Sequence, residues 1–309
     1  CGTRCAVFGV CTASTCGCPS GRLDCAGTCV PTATDEANCG GCGIVCASGA
    51  TCTSGVCLCP AGYAVCSGTC RDVRTDSMNC ATCGTSCGVG GFCVTSACHT
   101  PSAIDAGTDH VCAYTSRGDV FCWGDSDYGE NGRTSTTSIG LPTLVAGVSN
   151  AVAVTAGGEH SCAVAGSGAV YCWGRNTSSE LGFVGLNTAT ATAVPGIGNA
   201  VDVNAGAAFT CATRLTGAVS CWGQNTSGQT GQPASASLST PTDVPGLAGV
   251  LEVAVGDAHA CALLGDRTVS CWGSNVSGQL GDGTMVSRAT PMAVPGLANV
   301  ATIAAGGAH

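Results

Sequence analysis

Four pairs of cysteines set the strictest limit on what this chain can become: Cys112/Cys122, Cys162/Cys172, Cys211/Cys221 and Cys261/Cys271, each pair ten residues apart. Each pair brackets two short alternating runs around a glycine-containing turn, clearest in Cys162-Ala163-Val164-Ala165-Gly166-Ser167-Gly168-Ala169-Val170-Tyr171-Cys172. That pattern reads as a β-hairpin. Reflecting its arms about Ser167 sets Cys162 opposite Cys172 and Val164 opposite Val170. Directly opposed residues of an antiparallel pair come close enough for a disulfide. The spacing therefore predicts a structural cross-strand staple in every copy, and a fold assembled from a repeated hairpin.

Twenty-eight cysteines in 309 residues point to an oxidising compartment. A zinc protein would mix cysteine with histidine at ligand spacing, and the five His are sparse. Charged residues make up only 9% of the chain, against roughly 25% in ordinary soluble proteins. All ten basic residues are Arg and none cluster, so the chain has no electrostatic footprint for nucleic acid. No run approaches the ~18 apolar residues of a membrane helix, and no basic-then-apolar leader opens the sequence. The absence of Lys beside abundant Gly and Ala fits a GC-rich genome, hence a bacterial source.

Residues 1–98 are themselves a repeat, with a period of about 41 residues. Cys1, Cys5, Cys11 and Cys16 correspond to Cys42, Cys46, Cys52 and Cys57, then to Cys83, Cys87, Cys93 and Cys98. Cys18, Cys25, Cys29 and Cys39 likewise match Cys59, Cys66, Cys70 and Cys80. Each period holds so few large apolar residues that crosslinks must supply what a core cannot. Eight cysteines allow about 105 pairings, so the connectivity stays open at this level. The repeated T-D-x-x-N-C at Thr34–Cys39 and Thr75–Cys80 suits a capped helical turn closed by Asn, and offers too few oxygens for calcium.

This stretch resembles the stigma-specific Stig1-type cysteine-rich repeat, found in tandem in secreted myxobacterial-type proteins. The likeness rests on Cys25-Ala-Gly-Thr-Cys29-Val, Thr34-Asp35, Asn38-Cys39-Gly-Gly-Cys42-Gly and Cys52-Thr-Ser-Gly-Val-Cys57. It implies an extracellular spacer or interaction module rather than a chemistry. Cys1 fits either a lipid-modified N-terminal cysteine or a cut within a repeat, and the second needs no added assumption.

Beyond a linker at 99–101 the period lengthens to about 49–50 residues, giving units 102–150, 151–199, 200–249, 250–299 and a partial 300–309. Each has a small-apolar strand, the stapled hairpin ending in Cys-Trp-Gly, a polar turn, and a β-prone stretch before Pro-Gly or its equivalent. Several short strands per repeat, without helical periodicity, suit a propeller blade. These units resemble the regulator of chromosome condensation (RCC1) repeat family. The residues that carry the resemblance are Gly256 to Leu263, Trp272-Gly-Ser-Asn275-Val-Ser-Gly-Gln279-Leu-Gly, and Pro295-Gly296. The family fold is a seven-bladed β-propeller. The expected fold is thus mainly β: a partial RCC1-like propeller of four repeats and the start of a fifth, after a loop-rich disulfide region. Ends out of phase with both repeats suggest a fragment of a longer protein.

The Trp of each Cys-Trp-Gly (Trp123, Trp173, Trp222, Trp272) reads as blade packing rather than a sugar platform. His110, His160 and His259 recur in phase and would make a metal ring, but Phe209 interrupts them. Asp125 and Asp127 begin a D-x-D-x-G calcium loop without its closing ligand, so no metal is assigned. Asn176, Asn225 and Asn275 open N-x-S sequons that the repeat turn itself explains. No nucleophile–base–acid constellation is visible, and no cofactor is implied. Nucleotide exchange on a nuclear GTPase, the family's eukaryotic activity, does not suit so many cysteines.

The expected function is therefore an extracellular or surface-attached binding protein, not an enzyme, gripping another protein through loops that differ between blades. Those loops are Gly124–Leu141, Leu181–Ala193 and Gly231–Thr240. Secreted relatives of the fold include an inhibitor of β-lactamase, which shows that the scaffold can hold an enzyme. Two alternatives stand beside it: an extracellular hydrolase or carbohydrate-binding protein, and a purely structural module of a large adhesin. Inward carboxylates or histidines would favour the enzyme, exposed aromatic stacks the sugar. Attachment, if any, would come through flanking regions.

Overall fold

The computed structural model describes residues 7–12 and 15–309, so the two readings of Cys1 lie outside it. The chain divides into two compact units, one ending at Thr100 and one running from Pro101 to His309. Among the described residues all regular structure is β, and no helix is long and apolar enough to cross a membrane.

Among the described residues the first unit has five two-stranded hairpins. Their strands are β1 (Val10–Thr12) with β2 (Thr15–Gly17), β3 (Leu23–Cys25) with β4 (Thr28–Val30), and β5 (Thr51–Thr53) with β6 (Val56–Leu58). They continue with β7 (Tyr63–Cys66) and β8 (Thr69–Asp72), then β9 (Phe92–Val94) and β10 (Ala97–His99). Tight two-residue turns join the pairs from β3 onward. Ser67 and Gly68 both adopt positive φ, as a turn that follows the strand twist requires.

The disulfides resolve what the spacing left open. Cys18 bonds Cys29, Cys25 bonds Cys42, Cys39 bonds Cys52, and Cys46 bonds Cys57. The same order recurs one period later as Cys59–Cys70, Cys66–Cys83, Cys80–Cys93 and Cys87–Cys98. Within each set every loop overlaps the next, and none of these bonds spans Leu58. The cross-linked unit is therefore 18–57 and again 59–98. The T-D-x-x-N-C segments form turns, not helical caps. Asp35 accepts from Ala37 N and Asn38 Nδ2, while Asn38 Oδ1 accepts from Gly43 N; Asp76, Asn79 and Gly84 repeat this. Those side-chain oxygens are already engaged.

The second unit holds four antiparallel four-stranded sheets. The first contains β11 (Pro101–Ala106), β12 (His110–Thr115), β13 (Val120–Gly124) and β14 (Ile139–Leu144). The second contains β15 (Ala151–Ala156), β16 (His160–Ala165), β17 (Val170–Gly174) and β18 (Thr188–Ala193). The third contains β19 (Ala200–Ala205), β20 (Phe209–Arg214), β21 (Val219–Gln224) and β22 (Ser237–Asp243). The fourth contains β23 (Val250–Val255), β24 (His259–Leu264), β25 (Val269–Gly273) and β26 (Arg288–Ala293). The linker expected at 99–101 shrinks to Thr100, because His99 ends β10 and Pro101 opens β11.

Cys112, Cys162, Cys211 and Cys261 stand directly opposite Cys122, Cys172, Cys221 and Cys271 and are bonded to them. These staples face the next sheet. Cys162, Val164, Val170 and Cys172 pack with Val203, Ala212 and Trp222 of the third blade. Cys112, Val120 and Cys122 likewise meet Ala163 and Trp173, and Cys211, Val219 and Cys221 meet Ala262 and Trp272. The core thus lies between blades rather than within them. Small residues such as Ala163 and Ala262, each 0% exposed, let sheets carrying bulky tryptophans approach.

Candidate functional site

Three of the four Trp are held as well as packed. Trp173 Nε1 donates to Glu130 O at 2.8 Å, Trp222 to Glu180 O at 2.9 Å, and Trp272 to Gln229 O at 2.9 Å, in every case across a blade boundary. All three are fully buried and present no face to a sugar; Trp123 is partly exposed.

The histidines serve the same boundary. Ser161 Oγ donates to Glu130 O, so its acceptor side receives His110 Nε2–H at 2.8 Å. His160 reaches Thr210 Oγ1 in the same way, and Thr210 donates to Glu180 O. Phe209, which breaks the series, faces a neighbour without a hydroxyl: Ala260 packs in its cluster. A histidine is present where the next blade offers Ser or Thr, and a phenyl ring where it offers Ala. The rings sit in separate blades, and among the described residues no His joins a group of three potential metal ligands. The close sulfur groups, Cys39/Cys46/Cys57 and Cys80/Cys87/Cys98, are all disulfide-bonded.

Burial lowers the pKa of His110 to about 4 and of His160 to about 3, below an ordinary value near 6.5. With the folded pKa depressed, the unfolded chain takes up these protons first. The contribution is present above pH 6.5 and is lost as pH falls from there toward 4 and then 3, by ~1.4 kcal/mol per pH unit for each ring. The double variant His160→Phe/Thr210→Ala copies the Phe209–Ala260 pair. Denaturant titrations at pH 7 and pH 4.5 are expected to show a shallower acid loss than wild type; an equal slope would assign the acid sensitivity elsewhere.

Asp125 accepts a hydrogen bond from Ser138 Oγ at 2.9 Å, and Asp127 is exposed. Glu130, the nearest further carboxylate, is buried and accepts from Tyr128 N, and burial raises its pKa. Three oxygens are not brought together around an ion. The sequon asparagines are structural anchors. Asn176 Nδ2 donates to Phe183 O and Gly185 O while its Oδ1 accepts from Leu181 N; Asn225 and Asn275 tie their loops alike. All three are buried and their amide nitrogens occupied, which leaves no room for a glycan in the folded protein. Blade 1 has Ser126 at this place, and Asn131 stands where the other blades have Leu181, Thr230 and Leu280. Ser126 Oγ lies 2.8 Å from Asn131 Oδ1 and 2.7 Å from Ser135 O, so in blade 1 a hydroxyl stands where the other blades tie the loop through an amide.

The variable loops share one end of the sheets. His110 pairs with Gly124, His160 with Gly174, Phe209 with Gly223 and His259 with Gly273. The turns before these first residues and the long loops after these glycines therefore emerge side by side. The turns are glycine-rich because adjacent ones nearly touch: a Cβ on Gly107 would lie 2.0 Å from Gly157 O, and one on Gly157 2.6 Å from Gly206 O. Gly158 N donates to Gly206 O across that boundary. The turns line a cavity of about 250 Å³.

A second cavity, of about 290 Å³, borders the inner strands and includes Asp105, Thr155, Asn204 and Glu252. Asp202 stands near these carboxylates, and its pKa is raised by burial and by Glu252 and Asp105. These acids pin neighbouring inner segments rather than project freely. Asp105 Oδ2 accepts from Thr155 Oγ1 and Ala156 N, and Glu252 Oε1 from Thr302 Oγ1. Loop tips supply the exposed apolar groups, with Val184 85%, Leu186 89% and Met285 67% exposed.

Four-stranded sheets packed face to face through a Trp and a cross-strand staple define a β-propeller architecture. Residues 102–309 belong to the regulator of chromosome condensation (RCC1) repeat family: one profile of that repeat matches 102–130, 151–180, 200–229 and 250–279, and a second matches 117–164, 216–263 and 268–309. Human WBSCR16 is similar in structure, with a TM-score of 0.62 and 22% identity over 70% of this chain and 60% of that one. Prp20p of Saccharomyces cerevisiae, described with its binding to Gsp1p and histones, gives 0.58 and 18% over 66% of this chain and 54% of its own. Yeast RCC1 (Prp20) bound to Kap60 gives 0.58 and 18% over 66% and 52%. The chain spans three fifths or less of these structures. No curated protein sequence matches it. Repeats of this kind generally form binding or exchange-factor domains rather than catalytic ones.

Proposed function

We propose that the protein is an extracellular or surface-attached binding protein of bacterial type. Its propeller holds a partner protein on the end where the blade loops emerge, and its Stig1-like repeats act as a disulfide-stapled spacer. The observation that carries the reading is the common exit of 125–138, 175–187, 225–236 and 274–287 beside the glycine turns, on a scaffold otherwise fixed by repeated contacts. Invariant packing positions the loops, and their differences supply recognition. Prp20p and its complexes support the use of such a propeller for protein contacts. The disulfides support the compartment, since twelve described bonds would be reduced in a cytosol.

Photo-crosslinking tests the face. Photoreactive residues at Val184 and Ser235 are expected to capture a secreted or surface partner that the same groups at Ser167 and Thr216, on the opposite turns, do not. Capture from Ser167 and Thr216 alone would move the site to the other end.

A further inference from the structure

Three loop residues of blade 1 that its sisters do not share meet in one place. Asp127 stands where the other blades have Thr177, Thr226 and Val276, and Tyr128 where they have Ser178, Ser227 and Ser277. Arg133 takes the place of Phe183, Gln232 and Asp282. All three border a cleft of about 280 Å³ between the first-blade loop and the residues around the start of β18. A second cleft of about 280 Å³ adjoins it and shares Arg133, Thr134 and Ala189. Each has about the room of one sugar ring.

The counterparts of Arg133 are engaged within their own blades. Phe183 packs on the cluster that holds Trp222, Gln232 Nε2 donates to Asp243 O at 2.8 Å, and Asp282 accepts from Asn275, Thr284 and Arg288. Arg133 is exposed, and among the described residues its guanidinium has no hydrogen bond or ion pair. The same holds for the Asp127 carboxylate and for the hydroxyls of Thr134 and Thr136.

The walls are fixed before any ligand arrives. Tyr128 N donates to the buried Glu130 carboxylate, and the Arg175 guanidinium lies over the Tyr128 ring, 5.6 Å from its centroid. Arg175 is itself bonded to Glu159 and lies 3.7 Å from Glu180. Asn187 Oδ1 accepts from Asn176 N at 2.9 Å, and its amide nitrogen has no partner among the described residues. Groups held in this way lose little freedom on binding.

The lining selects the ligand. A planar cation takes a carboxylate in a two-bond pair, while a carboxylate and an amide exchange hydrogen bonds with hydroxyls. Neither cleft is bordered by Leu, Ile, Val, Phe or Met, so an apolar peptide side chain finds no anchor. Ala191 is 8% exposed in the cluster that holds Trp173, so β18 gives a peptide backbone no free edge there. One cation serves one carboxylate, and the net charge of -9 disfavours a polyanion.

We propose that the two clefts bind a saccharide with one acidic ring beside a neutral one. Its carboxylate pairs with Arg133, its hydroxyls meet Asp127 and Asn187, and a ring face lies against Tyr128. This does not rest on the protein contact proposed above, whose crosslinking positions Val184 and Ser235 border neither cleft.

Isothermal titration calorimetry of the oxidised protein tests it. The probes are glucuronosyl-galactose, glucuronosyl-xylose and galacturonosyl-rhamnose, each as the free acid and as its methyl ester. At least one acid is expected to bind with a Kd below about 1 mM, and its ester at least about tenfold more weakly, as the loss of a charge-assisted pair requires. Arg133→Gln, which copies blade 3, should bind acid and ester alike. Tyr128→Ser, which copies the other three blades, should weaken binding of the acid yet keep its preference over the ester. Both variants should retain the wild-type far-UV circular dichroism, since sister blades carry these residues. Absence of binding by all three acids, esters as tight as acids, or either variant binding like wild type would overturn the proposal. So would a blocked tripeptide with a central glutamate that binds as tightly as the best disaccharide.

Discussion

Reduction with excess dithiothreitol is expected to unfold residues 18–98 completely while the blades keep their β signal at 25 °C. The reason lies in what this unit buries. Its buried apolar residues are Cys29, Cys39, Cys52, Cys66, Cys80 and Cys93, with Ala50. The aliphatic groups that would make a core are outside: Ile44, Val45, Val56, Leu58, Val65 and Met78 are all half exposed or more. The interior is sulfur. Each described bond closes a separation of 11 to 17 residues, worth roughly 2–4 kcal/mol, so losing all eight removes at least as much as the ~5–15 kcal/mol by which a domain is stable. Cys42, Cys83 and Cys98 are exposed, so a reductant has a way in. Three of the four propeller staples are shielded, with Cys112, Cys122, Cys162 and Cys172 0% exposed and Cys211 and Cys221 buried as well, while Cys261 of the fourth is partly exposed. Timed alkylation with mass spectrometry should label residues 18–98 first. Simultaneous labelling of both units would refute the distinction.

Trp222→Ala is expected to lower the stability of the propeller by about 3–5 kcal/mol, the cost of an aromatic truncation in a packed core. Trp222 is fully buried, packs on the Cys162–Cys172 face of the second blade, and donates to Glu180 O. Its removal opens a cavity at the boundary between the second and third blades and leaves Thr210 Oγ1 as the remaining side-chain donor to that carbonyl. Blades contact only their neighbours, so denaturation should also become less cooperative, with two transitions replacing one. Trp222→Phe keeps most of the area and loses the N–H, for a loss of about 1 kcal/mol. Leu186→Ala, at an exposed loop tip, should change stability by less than ~0.5 kcal/mol. Equal losses for Trp222→Ala and Leu186→Ala in chemical denaturation would show that blade contacts do not hold the unit together.

The hairpins were open to reading because their information is local. Residues ten apart face each other whenever two alternating arms meet at a short turn, and no distant contact is needed to say so. The strands of each blade followed from the same alternation and from glycine at the turns. The pairings in 18–98 were closed to reading because each bond interlaces with the next, as Cys25–Cys42 does with Cys39–Cys52, and spacing alone does not choose among the possibilities. Likewise Phe209 looks like an interruption along the chain. Only its contact with Ala260 shows that a ring partner and a hydroxyl partner were exchanged together.

For the candidate surfaces the division is sharper. Loop variability is visible along the chain, but the common exit of the loops depends on which strand ends are paired. By itself the sequence determined the repeat, the stapled hairpin and the need for disulfides, since these rest on spacing, alternation and scarcity of large apolar residues. Tertiary structure alone decided which cysteines pair in the first unit, which asparagines are buried anchors, and which loops emerge together. Those outcomes depend on contacts between segments well separated along the chain and on the direction in which each backbone amide points, and neither is written in any single stretch of it.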